Sequence, residues 1–342
     1  MNKKKTIFVK GMAVMLAIIF FACKEEVPVT GVKTDQTALA LTVEETAVLT
    51  ATIEPANATV QTVIWSVKPE GVVELNVDGN RCTVIPRRNG TVTVTASVES
   101  IKADCTIESR VYIENTAFIE AVGGQCQWTK EENGTVKLTK ANREAMDSVE
   151  SLTIGSPEVI DLSGIEYFTG LTDLICSGTG LTTLNVSGCA NLRNLQCYSN
   201  QLKDLDVSGC PSLHFLDCSG NQLTELDVSD CTNLTWLDCF DNRLMSLDVS
   251  GCMNLASLNC YDNQLISLNV SGCMNLASLN CYNNQLTSLD VSACTSLTEL
   301  ICGNQTSDGV NSQILTLTLT TEQKIMWKNN WKNNNTDVIV AP

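Results

Sequence analysis

The chain has 342 residues, 38 of them acidic against 22 basic, for a net charge of −16; no basic surface is available to grip a phosphate backbone, which excludes nucleic-acid binding. With 44% hydrophobic and 18% charged residues the sequence is too apolar for a disordered chain. Its single histidine, His214, leaves little material for the commonest general base or for a histidine-rich metal site.

Residues 1–22 begin with Lys3, Lys4, Lys5 and Lys10 and continue into the 12-residue apolar run GMAVMLAIIFFA at 11–22. This pattern predicts a secretory signal; the run is short of the roughly 20 residues that cross a bilayer as a helix. Cys23 follows directly, and the stretch FFAC resembles a lipobox, with bulky Phe in place of the usual aliphatic and small residues. The resemblance implies that Cys23 is the lipidated first residue of the mature protein, with 23–29 as a linker. Lys24, Glu25 and Glu26 resemble the export tag of Bacteroidetes lipoproteins, implying an outer-membrane, surface-exposed location. Loss of the four signal lysines takes the net charge from −16 to −20, which favours solubility and repels anionic surfaces.

Residues 30–112 alternate apolar and polar side chains in LALTV at 39–43, AVLTA at 47–51 and TVTVTA at 91–96. Period two with Thr and Val enrichment predicts half-buried strands. Turn signals at EPAN (54–57), KPEG (68–71), DGN (78–80) and RNG (88–90) divide the segment into about seven strands, a β-sandwich. The order IEPANA, Ile64-Trp65-Ser66, CTVIPRRNGTVTVTA resembles the bacterial Ig-like group 2 family. That resemblance implies Trp65 in the core and a spacer role. Cys82 and Cys105 fall on expected strands, where a bridge and two buried thiols are both open readings.

Residues 149–312 carry a repeat of 21 residues, with ungapped units at 171–191, 192–212, 213–233, 234–254, 255–275 and 276–296 and partial turns on either side. The shared form LxxLxCxxNQLxxLDVSGCxN predicts a leucine-rich-repeat solenoid. Leucines at repeat positions 1, 4, 11 and 14, Cys at 6 and Val at 16 are expected to point inward, each coil stacking on the next. The two segments LxxLxC and LxxLDV make both sides of a coil extended, with little or no helix. Asn200, Asn221, Asn242, Asn263 and Asn284 form a column expected to satisfy backbone groups at the turns. Asp206, Asp227, Asp248 and Asp290 recur similarly, a turn-stabilising pattern rather than an acid-base pair.

Thirteen of the 17 cysteines belong to the repeats. Cys176, Cys197, Cys218, Cys239, Cys260, Cys281 and Cys302 form one ladder; Cys189, Cys210, Cys231, Cys252, Cys273 and Cys294 form another. Parallel strands stack about 4.7–4.9 Å apart, more than the roughly 3.8 Å between Cβ atoms that a disulfide needs, so neighbouring rungs are expected to remain thiols. Spacings of 8, 13 and 21 lack the clustered CxxC pairs or histidines of a zinc site. The run LTELDVSDCTNLTWLDCFDNRL resembles the cysteine-ladder leucine-rich repeats of the internalin J type, and coils of Bacteroidetes surface lipoproteins. It departs from that pattern at position 19, which leaves the packing of the second ladder open. The resemblance implies a right-handed solenoid, an adhesin or surface binding role, and no catalytic activity.

Caps are expected at 113–148 and 313–342. Helical character at 117–122 and 140–148 resembles the helical cap of internalin-like proteins; the acid spacing of a calcium loop is absent. At the far end a strand at 314–319 precedes a short helix capped by Thr321, with Trp327 and Trp331 on one face to cover the last coil.

No GxSxG, HExxH, P-loop or dinucleotide turn occurs in the sequence, so no catalytic, cofactor or metal residue is assigned. The variable positions of the first strand are more informative. Position 7 carries Tyr198, Ser219, Phe240, Tyr261 and Tyr282, and position 3 carries Phe215 and Trp236, placing six aromatics on one face beside Asp217, Asp238, Asn259 and Asn280. Solvent-facing aromatics of this kind predict a recognition surface for a protein or a glycan, with His214 at its edge. The alternative for position 7 is half-burial beneath the following loop. The expected protein is therefore a non-catalytic, monomeric, lipid-anchored binding protein of the cell envelope, mainly β, in which a spacer presents the repeats. The alternative is a surface glycan-binding component of a nutrient-uptake system.

Overall fold

The computed structural model describes residues 26–306, 312–328 and 338–341; the expected signal, Cys23 and Trp331 lie outside them.

The N-terminal unit has eight strands rather than about seven: β1 (Gly31–Thr34), β2 (Ala38–Thr42), β3 (Ala47–Glu54), β4 (Ile64–Lys68), β5 (Val73–Asp78), β6 (Arg81–Pro86), β7 (Gly90–Val98) and β8 (Ile101–Arg110). They form two four-stranded sheets, ordered β1-β3-β6-β5 and β2-β8-β7-β4. Period-two alternation sends Leu49, Val84, Val92, Val94 and Ile107 into one shared core, with Trp65 at its margin. Cys82 on β6 and Cys105 on β8 are both free and fully buried, so of the two readings the structure shows small apolar fillers. Burial pushes the Cys82 thiol up to about 11.

Asn89 ties this unit to the segment that connects it with the repeats. Its Oδ1 accepts from the Val111 and Tyr112 amides at 2.6 and 2.9 Å, and its Nδ2 donates to the Tyr112 carbonyl at 2.8 Å. Arg143 reaches back to Glu45 at 3.6 Å. The connecting segment holds α1 (Thr116–Val122), with Asn115 as N-cap, and α2 (Lys140–Asp147), with Thr139 as N-cap. Phe118, Trp128 and Phe168 meet edge to face, with centroids 5.7–6.3 Å apart, the favoured arrangement for ring quadrupoles. They seal the first coil.

The solenoid presents an eight-stranded parallel sheet of three-residue strands, from Ser151–Thr153 through Trp236–Asp238 to Glu299–Ile301. The repeat length sets the register, since Phe215 pairs with Trp236 and Trp236 with Ser257. No helix occurs between residues 171 and 306, and the back of the later coils is also extended, with Ser246–Asp248 paired to Ser267–Asn269. Repeat leucines, both cysteine positions and Val at position 16 form one continuous core.

The asparagine column works as expected. Asn221 Oδ1 accepts the Leu202 amide of the preceding coil at 3.0 Å, and its Nδ2 donates to the Cys197 and Cys218 carbonyls at 3.0 Å each. Gln305 takes the same role at the last coil, bonding the Leu286 amide at 2.9 Å and the Cys281 carbonyl at 3.1 Å. The recurrent aspartates close Asx turns: Asp206, Asp227, Asp248 and Asp290 each accept the amide two residues on at 2.9–3.0 Å.

All thirteen repeat cysteines are buried, and the twelve from Cys176 to Cys294 are free thiols. The second ladder has a function the leucine pattern does not disclose. Cys210, Cys231, Cys252 and Cys273 each donate Sγ–H to a valine carbonyl of the preceding coil, at 3.2–3.7 Å.

At the C-terminal end Leu315–Thr318 adds in parallel to Ser288–Asp290. The next helix, α3 (Thr321–Met326), is capped by Thr320, not Thr321, because the Thr320 hydroxyl and the Gln323 side chain complete a reciprocal capping box. Trp327 is buried against the last coil.

Candidate recognition site

On the front sheet, residues at repeat positions 3 and 5 of each strand face away from the core, while position 4 supplies the buried leucine. Position 7 extends this face at the edge of the turn. Trp236, Tyr282 and Tyr198 are 43%, 41% and 40% exposed, enough for a partner to bury.

Phe215, Phe240 and Tyr261 are half-buried, which for Phe240 and Tyr261 is the burial that the alternative reading of position 7 expects. Rings of neighbouring coils pack on one another. Phe240 and Tyr261 stack with centroids 4.5 Å apart and planes within 8°, and Phe215 and Trp236 stack at 6.2 Å and 20°. The 4.5 Å separation is close to the spacing of neighbouring parallel strands. The Phe240 and Tyr261 rings therefore stack along the solenoid axis, each covering one face of the other.

Between the aromatic columns runs position 5. Asp217 Oδ1 accepts the Ser219 amide at 3.1 Å and its hydroxyl at 2.6 Å, and Asn280 Oδ1 accepts the Tyr282 amide at 3.2 Å. The Asp238 carboxyl is pushed up by burial, against hydrogen bonding from the Trp236 side chain that pulls it down, with smaller effects from Asp217 on the adjacent strand, which raises it, and from the Asn259 side chain, which hydrogen-bonds it and lowers it. His214 Nδ1 lies 2.6 Å from the Ser212 carbonyl at the margin. Across positions 3, 5, 7 and 8 from residue 171 to 304 there is no lysine or arginine.

The other features offer less. A cavity of about 700 Å³ lies between β8 and the cap, where Arg110 is already met by Glu108 at 2.6 Å and Glu166 at 3.9 Å. Among the described residues no group of three or more His, Cys, Asp or Glu side chains is placed to hold a metal ion. The repeat thiols are held protonated, Cys176 and Cys281 being pushed up to about 12 by burial, so none is a ready nucleophile.

Residues 139–243 match the family of the endo-beta-N-acetylglucosaminidase EndoS LRR domain. With the coil geometry, this defines the segment as a leucine-rich-repeat solenoid. Among solved structures the chain is similar to the functional domain of InlJ from Listeria monocytogenes, which includes a cysteine ladder, at 32% identity over 54% of this chain and 46% of that one, with a TM-score of 0.42. Internalin C2 of Listeria monocytogenes is 21% identical over 66% of this chain and 92% of that one, with a TM-score of 0.45. A plant peptide hormone receptor, RGFR1 in complex with RGF2, is 17% identical over 50% of this chain and 40% of that one, with a TM-score of 0.33. The chain thus spans about half the length of the InlJ domain it matches. No curated protein matches the sequence.

Proposed function

We propose that this chain is a non-catalytic recognition protein of the cell envelope whose solenoid front binds a protein ligand. The N-terminal sandwich, read as a bacterial Ig-like spacer, holds the repeats off a membrane to which lipidated Cys23 anchors the chain. One observation carries the reading: exposed Trp236 stands on the parallel front sheet, with exposed Tyr198 and Tyr282 just beyond the ends of its strands. Aromatic side chains held this way supply binding area at little entropic cost, and such residues dominate interface energetics. Protein is favoured over glycan because the Phe240–Tyr261 stack closes one face of each ring and so reduces the π surface open to a sugar.

Glycan capture is the second reading, and Trp236 supports it. The strand partner of Trp236 on the side away from Phe215 is Ser257, a small residue that leaves one indole face open to stack on a sugar. Screening displayed protein fragments and a glycan array with wild type and with Trp236→Ala/Phe240→Ala separates the two. The expected result is a protein ligand whose affinity falls at least ~10-fold in the double variant. Capture that is indifferent to the double variant contradicts the assignment of this face, and glycan-only capture moves the protein to the second reading.

A further inference from the structure

The sandwich and the repeats keep separate cores. The sandwich core ends at Ile107, the repeat core begins at Ile113, and neither takes in Val111, which is 1% exposed in the connection between them. No apolar cluster therefore fixes the angle between the two units; polar contacts do. Val111 is the pivot, since its amide donates to Asn89 Oδ1 at 2.6 Å and its carbonyl accepts the Leu138 amide of the cap at 2.8 Å.

Two clamps lie off that pivot, and each ends on a carboxylate. On one side the turn between β2 and β3 meets α2: Glu44 accepts the Lys140 amide, Thr42 accepts from the Arg143 guanidinium, and Glu45 lies 3.6 Å from that guanidinium. On the other side the end of β8 meets the first coil, where Arg110, held by Glu108, stands 3.9 Å from Glu166. The cavity of about 700 Å³ lies on this second side. The one basic residue lining it, Arg110, is already bonded to Glu108, which makes the space room for movement rather than a ready ligand pocket. Ion pairs as exposed as these hold weakly.

We propose that this joint is an acid-released latch: Glu44, Glu45 and Glu166 hold the repeats at one angle to the sandwich, and their protonation lets the repeats swing about Val111 while both units stay folded.

The charges around the clamps set the direction of the effect. About the first clamp they are Glu44 and Glu45 on the turn and Lys140, Arg143 and Glu144 on α2. About the second they are Glu108 and Arg110 on β8, Glu114 in the connection, and Asp161, Glu166 and Tyr167 in the first coil. Arginine, lysine and tyrosine do not change their protonation in acid, so only the carboxylates titrate. The Thr42 amide, against burial, holds the Glu45 carboxyl below its usual range, helped by the Thr42 hydroxyl and Arg143. The latch is therefore closed above about pH 4 and is lost as pH falls through the folded value.

Small-angle X-ray scattering of the full chain, read beside far-UV circular dichroism, tests the latch. Lowering the pH from 7 to about 3.5 should shift the radius of gyration by at least ~5% and broaden the pair-distance distribution, with the dichroism spectrum unchanged. Glu44→Gln/Glu45→Gln/Glu166→Gln keeps the side-chain shapes and removes the charges, and should scatter at pH 7 as wild type does in acid. Glu74→Gln breaks an ion pair with Arg87 that lies inside the sandwich and should scatter as wild type. A triple variant indistinguishable from wild type at pH 7 overturns the latch. So does an acid shift accompanied by loss of the dichroism signal, which is unfolding, and so does an equal shift in Glu74→Gln, which is general charge repulsion.

Discussion

The side-chain oxygen of Asn242 accepts the backbone N–H of Leu223 at 3.0 Å, so each coil is fastened by the asparagine of the next coil. The same amide donates to the Cys218 and Cys239 carbonyls at 3.0 and 3.2 Å. Asn242→Ala leaves buried donors and acceptors unpaired and should cost about 3 kcal/mol. Hydrogen exchange should show the protection of residues 218–244 falling while the N-terminal sandwich is unchanged, since coils contact only their neighbours. Retained protection would mean that leucine packing alone holds the turn.

The buried thiols make the solenoid sensitive to alkali. Burial pushes Cys189, Cys210, Cys231 and Cys273 up to about 12, while unfolded thiols ionise near 8.5–9. A raised folded-state value means that the stabilisation is complete below about pH 9 and is lost as pH rises towards 12. The urea midpoint should be level between pH 7 and 8 and fall steeply above 9, and native protein should resist thiol alkylation at pH 8. Rapid alkylation of the native chain would contradict the packing of the ladders.

The turn aspartates behave oppositely and weakly. Asp227 is held below its usual value chiefly by the Ser229 amide and hydroxyl, so its contribution is present above about pH 4 and lost as pH falls. Asn185 and Asn269 occupy the equivalent position and accept the same turn bond at 3.1 and 3.2 Å. Asp227→Asn should therefore leave the neutral-pH urea midpoint at the wild-type value and flatten its acid limb. A lower midpoint at pH 7 would assign the carboxylate a role beyond the turn.

Much of this was legible in the repeat. A strict period places Leu195, Leu216 and Leu237 in one column and fixes which side chains share a face, so the solenoid, the asparagine column and the aromatic columns are readable directly. What a period does not carry is the height of one coil above another. The stacking that half-buries Phe240 and Tyr261 depends on a 4.5 Å separation, and the Cys273 thiol meets the Val249 carbonyl at 3.2 Å only once coils are stacked. Gln305 falls outside a motif written with asparagine, although one extra methylene still reaches the same backbone groups. Thr320 and Thr321 are adjacent hydroxyls that a cap rule alone does not separate; the Gln323 side chain selects the former.

The far end of the solenoid depends on Gln323. Its Nε2 donates to the Val291 and Cys294 carbonyls at 2.9 Å each, and its Oε1 accepts the Thr320 amide at 2.9 Å. Gln323→Ala removes the side-chain half of the capping box and the last coil's partner together. It should release α3 and speed exchange across residues 288–297, leaving 171–254 unaffected. Uniform destabilisation of the whole solenoid would instead show long-range cooperativity.

Oxidative side-chain footprinting of the chain with a ligand selected from the display screen tests the recognition face most directly. The front carries Trp236 and Tyr282 at 43% and 41% exposure; away from it, Met245, Met253 and Met274 at 57–63% provide internal controls. Ligand should suppress modification of Trp236 and Tyr282 and leave the three methionines as reactive as in the free chain. Protection of the methionines with Trp236 unchanged would place the partner on another surface and contradict the account.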